Sequence, residues 1–284
     1  MPRNLDLIAP TSQCEYNVFM SDLSSFYPSQ DNYLYTFHIG RSPAFIYVNN
    51  PKCGCSTTKA SLNRWYAAWH SEVLGHKSLA DIHNRAFNPL FDPTSLGTEA
   101  EDILLHNPTY FRFTLLRDPL SRVASAFENK MTWLSEERVQ FNLLLGRNAE
   151  DEVAFDFFLE TLATIPEALD INEHWRLQTR QIAASLLNYN HICLFDNLTN
   201  ELLAIRDRLF PGLQIGVFET RTHFPEIRSN SAARLASLLP HQRALIEIIY
   251  EADFNLYNTL KTARCLTSEA EKHNFLYKQN RDTY

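Results

Sequence analysis

The stretch Ala44-Phe45-Ile46-Tyr47-Val48-Asn49-Asn50-Pro51-Lys52-Cys53-Gly54-Cys55-Ser56-Thr57-Thr58-Lys59 decides the fold. Its first five residues are β formers with no polar break, the mark of a short buried strand. A turn follows at Asn49-Asn50-Pro51, then a loop of small residues. From about Thr57 to His70, the spacing of Ala60, Leu62, Trp65, Ala68 and Trp69 predicts a helix. A loop placed at a helix N-terminus presents free backbone N–H groups and the positive end of the helix dipole. Gly54 lets the backbone approach a ligand. Ser56, Thr57 and Thr58 add hydroxyls, and Lys52 and Lys59 add charge. No Asp or Glu occurs between Pro51 and His70. The pattern suits a phosphate, against the plainer reading of Ser and Thr that merely cap a helix. It lacks the GxxxxGK[ST] spacing of a Walker A loop.

A second unit of the same kind lies downstream. Tyr110-Phe111-Arg112-Phe113-Thr114-Leu115-Leu116 reads as a strand, and Arg117-Asp118-Pro119 ends it. Asp118 suits an N-cap and Pro119 the first helical position. Leu120, Val123, Ala124, Phe127 and Met131 then mark an amphipathic helix. Arg117 stands at the carboxyl end of the strand, the side on which parallel sheets bind ligands. Ser121 and Ser125 share a helix face. Arg117 and Ser125 together can clamp a second phosphate. Pairing of Arg117 with Asp118, with Ser125 as packing filler, is the competing reading.

The remaining sequence sets the frame. The chain has 284 residues, 45% of them apolar, enough for a sizeable core. Lys and Arg number 26 and Asp and Glu 33, for a net charge of −7. That balance argues against a surface that coats nucleic acid or an anionic membrane. Five scattered cysteines, without a CxxC pair, fit neither a disulfide scaffold nor a structural zinc site. No apolar h-region follows Arg3, and Ala44 to Val48 is too short to span a bilayer. A soluble cytoplasmic protein is expected. His191-Ile192-Cys193-Leu194-Phe195 is a third strand candidate. Helices are expected over Glu150 to Ala163, Asn200 to Phe210 and Pro240 to Tyr257. The acidic run Glu150-Asp151-Glu152 reads as a solvated helix start, and Trp65 and Trp69 as core. Strands alternating with helices predict an α/β fold, a central parallel sheet flanked by helices in three layers. No linker divides residues 1–284, so one domain is expected.

Two phosphate clamps on successive strand–helix turns point to a ligand phosphorylated at both ends. Here the chain resembles the sulfotransferases that use 3′-phosphoadenylyl sulfate (PAPS), most closely the carbohydrate sulfotransferase branch (family 2). Pro51 to Lys59 aligns without gaps with that branch's loop after the first strand. Phe113 to Phe127 matches its second motif, with Arg117, Asp118, Pro119, Arg122, Ser125 and Ala126 in place. Asn172-Glu173-His174-Trp175 matches a third element. The resemblance covers about residues 44–200, with an echo at Tyr250-Glu251-Ala252-Asp253-Phe254 and a C-terminal helical part over 200–284. A cysteine pair common in the animal enzymes after the His-Trp is absent from Ile182-Ala183-Ala184-Ser185, and so is their membrane anchor. Both departures count against glycosaminoglycan acceptors.

The resemblance implies a P-loop NTPase-like fold and metal-free sulfuryl transfer from PAPS to a hydroxyl of a carbohydrate or other small molecule. Adenosine 3′,5′-bisphosphate is the implied product. Lys52, Cys53, Gly54, Cys55, Ser56, Thr57, Thr58 and Lys59 would hold the 5′-phosphosulfate, with Lys52 neutralising the leaving oxygen. Arg117 and Ser125 would hold the 3′-phosphate. Relatives place a catalytic base between the two motifs, where His70, His76, His83 and His106 stand; His83 is favoured. His174 lines the acceptor cleft or packs beside Trp175. Arg228 or Ser229 would close over the nucleotide, unless that segment is a solvated turn. A kinase-like phosphotransferase and a non-catalytic binding protein are the competing functions.

Overall fold

The structure is a computed structural model that describes residues 23–72, 74, 78–100, 102–223 and 230–265. In chain order its principal elements are α1 (Gln30–Thr36), β1 (Phe37–Arg41), β2 (Ala44–Val48), α2 (Cys55–Trp69), α3 (Leu79–His83), β3 (Phe111–Leu116) and α4 (Pro119–Lys130). Then follow α5 (Glu136–Leu144), α6 (Phe155–Thr164), α7 (Pro166–Asp170), α8 (Gln178–Gln181), β4 (His191–Leu194) and α9 (Leu198–Leu209). The last are α10 (Thr220–His223), α11 (Ser231–Ala236), α12 (Pro240–Ile249) and α13 (Glu251–Cys265).

The fold is mixed α/β. Its sheet has four strands in the order β1-β2-β3-β4. β2, β3 and β4 run parallel, with Val48 beside Thr114 and Leu116 beside Leu194. Their carboxyl ends therefore share one edge of the sheet, and the loops that follow Val48, Leu116 and Leu194 leave from it together. This edge is where ligands bind in open parallel sheets.

The expected wholly parallel sheet is corrected at one edge. β1 pairs antiparallel with β2, Phe37 opposite Val48 and Arg41 opposite Ala44. Its apolar residues alternate with His38 and Gly40, so the polar composition of residues 1–40 concealed it. Phe37 and Ile39 are fully buried, and Ile39 exchanges backbone hydrogen bonds with Phe91 on the outer side.

Alternation along the strands divides the core. Ile46, Val48, Leu116 and Leu194 pack with Tyr33, Leu104 and Tyr257 on one face. Phe45, Tyr47, Phe113 and Leu115 pack with Trp65, Leu202 and Ile205 on the other. Covering both faces explains why the strands read as unbroken apolar runs. A third cluster joins α4 to α6 and α12 around Phe127, Phe158, Trp175 and Ile246.

Three further expectations change. α6 starts at Phe155, so Glu150-Asp151-Glu152 lie in the solvated segment before it. The helix expected over Pro240 to Tyr257 is two helices, broken at Tyr250. Trp65 is core, but Trp69 is 40% exposed and packs only its edge against Phe210. The Trp65 indole donates to the carbonyls of Ile215 and Gly216, which fixes it inside. Among the described residues, no helix is long and apolar enough to cross a membrane. Cys53, Cys55 and Cys193 are free thiols.

Candidate active site

The loop after β2 bends tightly because two residues adopt left-handed backbone angles, Lys52 at φ 70° and Gly54 at φ 80°. Gly54 also sits where a Cβ would meet the Leu198 side chain at 2.8 Å. α2 then starts at Cys55, and an α-helix leaves its first amides without intrahelical acceptors. Cys55, Ser56 and Thr57, in that first turn, line a cavity of about 820 Å³ at the carboxyl edge of the sheet.

Arginines take up carbonyls of the loop. Arg122, 1% exposed, donates from Nε to Pro51 O at 3.1 Å. Its other nitrogens donate to Arg176 O at 2.7 Å and Glu173 O at 2.9 Å. Arg117 donates to Lys52 O at 3.0 Å and to Ser121 Oγ at 2.9 Å, and its guanidinium lies over the Phe195 ring.

Lys52, Gly54, Cys55, Ser56, Thr57, Lys59, His83, Arg117, Ser125 and His174 all line this cavity. The structure thus brings together most of the residues expected from the two motifs and the Asn-Glu-His-Trp element. Two do not join them. Cys53 is fully buried, with its thiol 3.2 Å from Gln178 Oε1 and its amide donating to Asn50 O. Thr58 is fully buried, and its hydroxyl and amide both donate to Gly54 O. Their polar groups close the loop internally, and neither lines the cavity.

Lys59 lines the cavity's inner wall rather than the loop. It is 1% exposed, donates to the Tyr35 hydroxyl at 2.5 Å and lies 3.9 Å over the Tyr35 ring. The Tyr35 hydroxyl is 2.6 Å from His83 Nδ1, and His83 Nε2 is 2.9 Å from Ser56 Oγ. Burial, reinforced by Lys59, Lys130 and Lys52, pushes His83 down to about 3. Burial is also the main cause that lowers Lys52 and Lys59 to about 7. Lys52 Nζ donates to Asn129 Oδ1. The His174 imidazole is likewise held well below its ordinary value, by burial first and then by Lys52, Lys130 and Arg122.

The other histidines of the intervening segment stand apart. His70 follows the far end of α2 and bonds Ser42 O at 2.8 Å. His106 closes a helical turn before β3, the sheet edge opposite the cavity. His76, Arg228 and Ser229 lie outside the described residues.

Sequence reasoning missed Tyr35, Asn129, Lys130, Glu173 and Arg221 as cavity residues, and Gln178 behind it. Asn129 follows Ser125 by four on α4, a helix spacing that identifies it in retrospect. Gln178 has no such signal. It is fully buried, accepts from Asn50 Nδ2 and Arg117 N, both at 3.1 Å, and donates to Arg117 O at 2.8 Å. It is the pivot between the two motif loops. Thr57 and Thr220 hydroxyls bond at 2.8 Å, which brings α10 and Arg221 to the rim. A second hollow of about 560 Å³ shares Tyr35 and Glu173 with the first and is lined mainly by polar side chains.

Fold and cavity define an α/β protein whose cationic crevice opens at the carboxyl edge of its sheet. A family model described as the sulfotransferase family matches residues 35–258, from Tyr35 in the cavity wall to Asn258 in α13. The chain belongs to the sulfotransferase family, in the family-2 branch that its motifs resemble. The match extends past residues 44–200 on both sides, from the last turn of α1 to about the middle of α13. No curated protein and no solved structure matches the chain.

Proposed function

We propose that this protein moves a sulfuryl group from PAPS to a hydroxyl of a carbohydrate or other small molecule, on a P-loop-like nucleotide cradle. One observation carries the reading. Lys52 and Arg117 face a shared cavity, and neither has an acidic partner within ion-pairing distance among the described residues. A buried cation held only by neutral groups costs free energy, which an anionic ligand offsets. A donor carrying a phosphosulfate and a separate phosphate fits two such cations on two loops.

Lys52 and the amides of Cys55, Ser56 and Thr57 would hold the 5′-phosphosulfate. Arg117 and Ser125 would hold the 3′-phosphate. As with phosphoryl transfer, the chemistry rests on alignment and on stabilising the charge that develops on the leaving oxygen. Lys52 sits on the loop that supplies those amides and is the group suited to that charge. The second hollow, which shares Tyr35 and Glu173 with the cavity, would receive a hydroxylated acceptor beside the donor.

Calorimetry with adenosine 3′,5′-bisphosphate and with Mg-ATP tests the donor. The bisphosphate is expected to bind without added metal. Arg117→Ala should weaken it by roughly 1.5–3 kcal/mol, the worth of a charge-assisted contact. Binding of Mg-ATP alone would overturn the reading in favour of a kinase-like enzyme. Bisphosphate binding without transfer from labelled PAPS to any mono- or disaccharide would favour a non-catalytic protein.

A further inference from the structure

Two imidazoles face the cavity, and their hydrogen bonds set them in opposite protonation patterns. His83 has both ring nitrogens engaged. As an ammonium, Lys59 directs N–H groups at both the Tyr35 oxygen (2.5 Å) and His83 Nδ1 (3.4 Å), so Nδ1 is an accepting nitrogen and the Tyr35 hydroxyl donates to it. The neutral ring then carries its proton on Nε2 and donates it to Ser56 Oγ. In that state His83 has no lone pair for an acceptor proton. It leaves the Ser56 hydroxyl hydrogen directed away from the ring.

His174 is arranged the other way. Asn172 Oδ1 accepts from the His174 backbone N–H at 3.0 Å, which fixes this atom as the amide oxygen. The same oxygen lies 2.6 Å from His174 Nδ1, so Nδ1 must carry the proton and donate it. Glu173 Oε1, 3.8 Å from Nδ1, favours the same tautomer. Asn172 is itself buried, so the arrangement is held rigidly. The remaining lone pair is on Nε2, on a ring 20% exposed that lines the cavity with Lys52 and Ser56. The charged or titratable groups around this ring are Lys52, Lys130, Arg122, His83 and Glu173. Burial first, and then the cations among them, hold it below the ordinary imidazole value, so the ring is neutral at pH 7.

Resting on the sulfuryl-transfer reading above, we propose that His174 Nε2 is the general base, with Asn172 the residue that positions it. The acceptor oxygen bonds to sulfur as the bond from sulfur to the bridging phosphate oxygen breaks. The electron pair of that bond leaves on the bridging oxygen, beside Lys52. The acceptor proton passes to His174 Nε2, and the imidazolium later returns it to solvent. His83 acts instead through Ser56, as a positioning residue.

Nitrogen-15 NMR of the unsubstituted protein reads the tautomers directly. At neutral pH the His174 ring is expected to show a protonated Nδ1 and a bare Nε2, and the His83 ring the reverse. A protonated Nε2 on His174 would overturn the assignment. In kinetics, labelled PAPS with a panel of mono- and disaccharide hydroxyls is the probe. His174→Ala should lower the transfer rate by about 10²–10⁴-fold, the usual worth of a general base. Its affinity for adenosine 3′,5′-bisphosphate should stay unchanged, which also shows that the variant folds. Asn172→Leu should lower kcat with the same affinity, and Asn172→Asp, which keeps an acceptor oxygen, should restore part of it. Undiminished transfer by His174→Ala would remove the base assignment and leave sulfuryl transfer standing. Failure of the unsubstituted protein both to bind the bisphosphate and to transfer would remove the parent reading and this one with it.

Discussion

Lys59 shows what one buried charge does to the molecule. Its ammonium is held by a phenol and a ring face, with no carboxylate, and burial brings it from 10.5 to about 7. Lys52, on the loop, is displaced in the same way. Between these two values the unfolded chain binds more protons than the folded one. Stability must therefore rise with pH across that window. Below about pH 7 both states are protonated, and the cost of burying the ammonium is present in full. Urea denaturation between about pH 7 and pH 8, below the range in which the buried Cys53 and Cys193 thiols would titrate in the unfolded chain and oppose it, should show this gain. Lys59→Met should remove about half of it, because Lys52 is then the one remaining lysine of the pair whose lowered value falls there. A slope unchanged by the substitution would show that Lys59 is not the buried charge its surroundings make it.

At the scale of elements, Arg122 does the work of a joint. It stands on α4, yet its three nitrogens donate to the loop after β2 and to the segment that carries His174. Arg122→Ala leaves three buried carbonyls without these donors. At about 1–3 kcal/mol for each such group, a loss of at least about 3 kcal/mol is expected in urea denaturation. Bisphosphate binding should fall with it, since Pro51 O anchors the cradle. Arg122→Lys should restore little, because an ammonium cannot span three acceptors in a plane. Retained stability in the alanine variant would refute the joint. This element also shows how far the sequence was legible. β2 and β3 could be read because strands buried on both faces are continuous apolar runs, and the motif loops follow them at once. The inward or outward facing of each loop residue could not. Cys53 and Thr58 look like ligands by type, but the turn spends their polar groups on Asn50, Gly54 and Gln178. Arg122 could be matched to a motif, but only packing shows that its partners are backbone carbonyls. β1 was hidden because Arg85 engages Nδ1 of the buried His38, so a polar residue sits where periodicity demands an apolar one. The break at Tyr250, whose backbone leaves the helix at φ −108° and ψ 27°, has no mark in the apolar spacing either. Its hydroxyl donates to Trp175 O, a tertiary contact that helix periodicity does not record.

Across the whole molecule, the net charge of −7 coexists with a crevice that gathers Lys52, Lys59, Arg117, Lys130 and Arg221. That segregation depends on distant parts of the chain being held together, and α13 supplies one tie. Asp253 is 2% exposed, and its carboxylate accepts from Gln178 N at 2.7 Å and Thr179 N at 2.8 Å. It accepts from the Thr179 hydroxyl as well, at 3.0 Å. Gln178 in turn meets Asn50, Cys53 and Arg117, so the C-terminal helix is linked through one glutamine to both motif loops. Asp253 itself does not line the cavity. Asp253→Ala is therefore expected to lower bisphosphate affinity without removing any contact to the ligand. The physical path is the release of α8 and the loss of register between the loops. If the path runs through Gln178, Asp253→Ala and Gln178→Ala must be non-additive. A coupling of at least about 0.5 kcal/mol is the size found for residues that share a network. A double-mutant cycle read by calorimetry measures it. Additive losses would mean that α13 supports the crevice only by burying apolar surface, through Tyr257 and its neighbours.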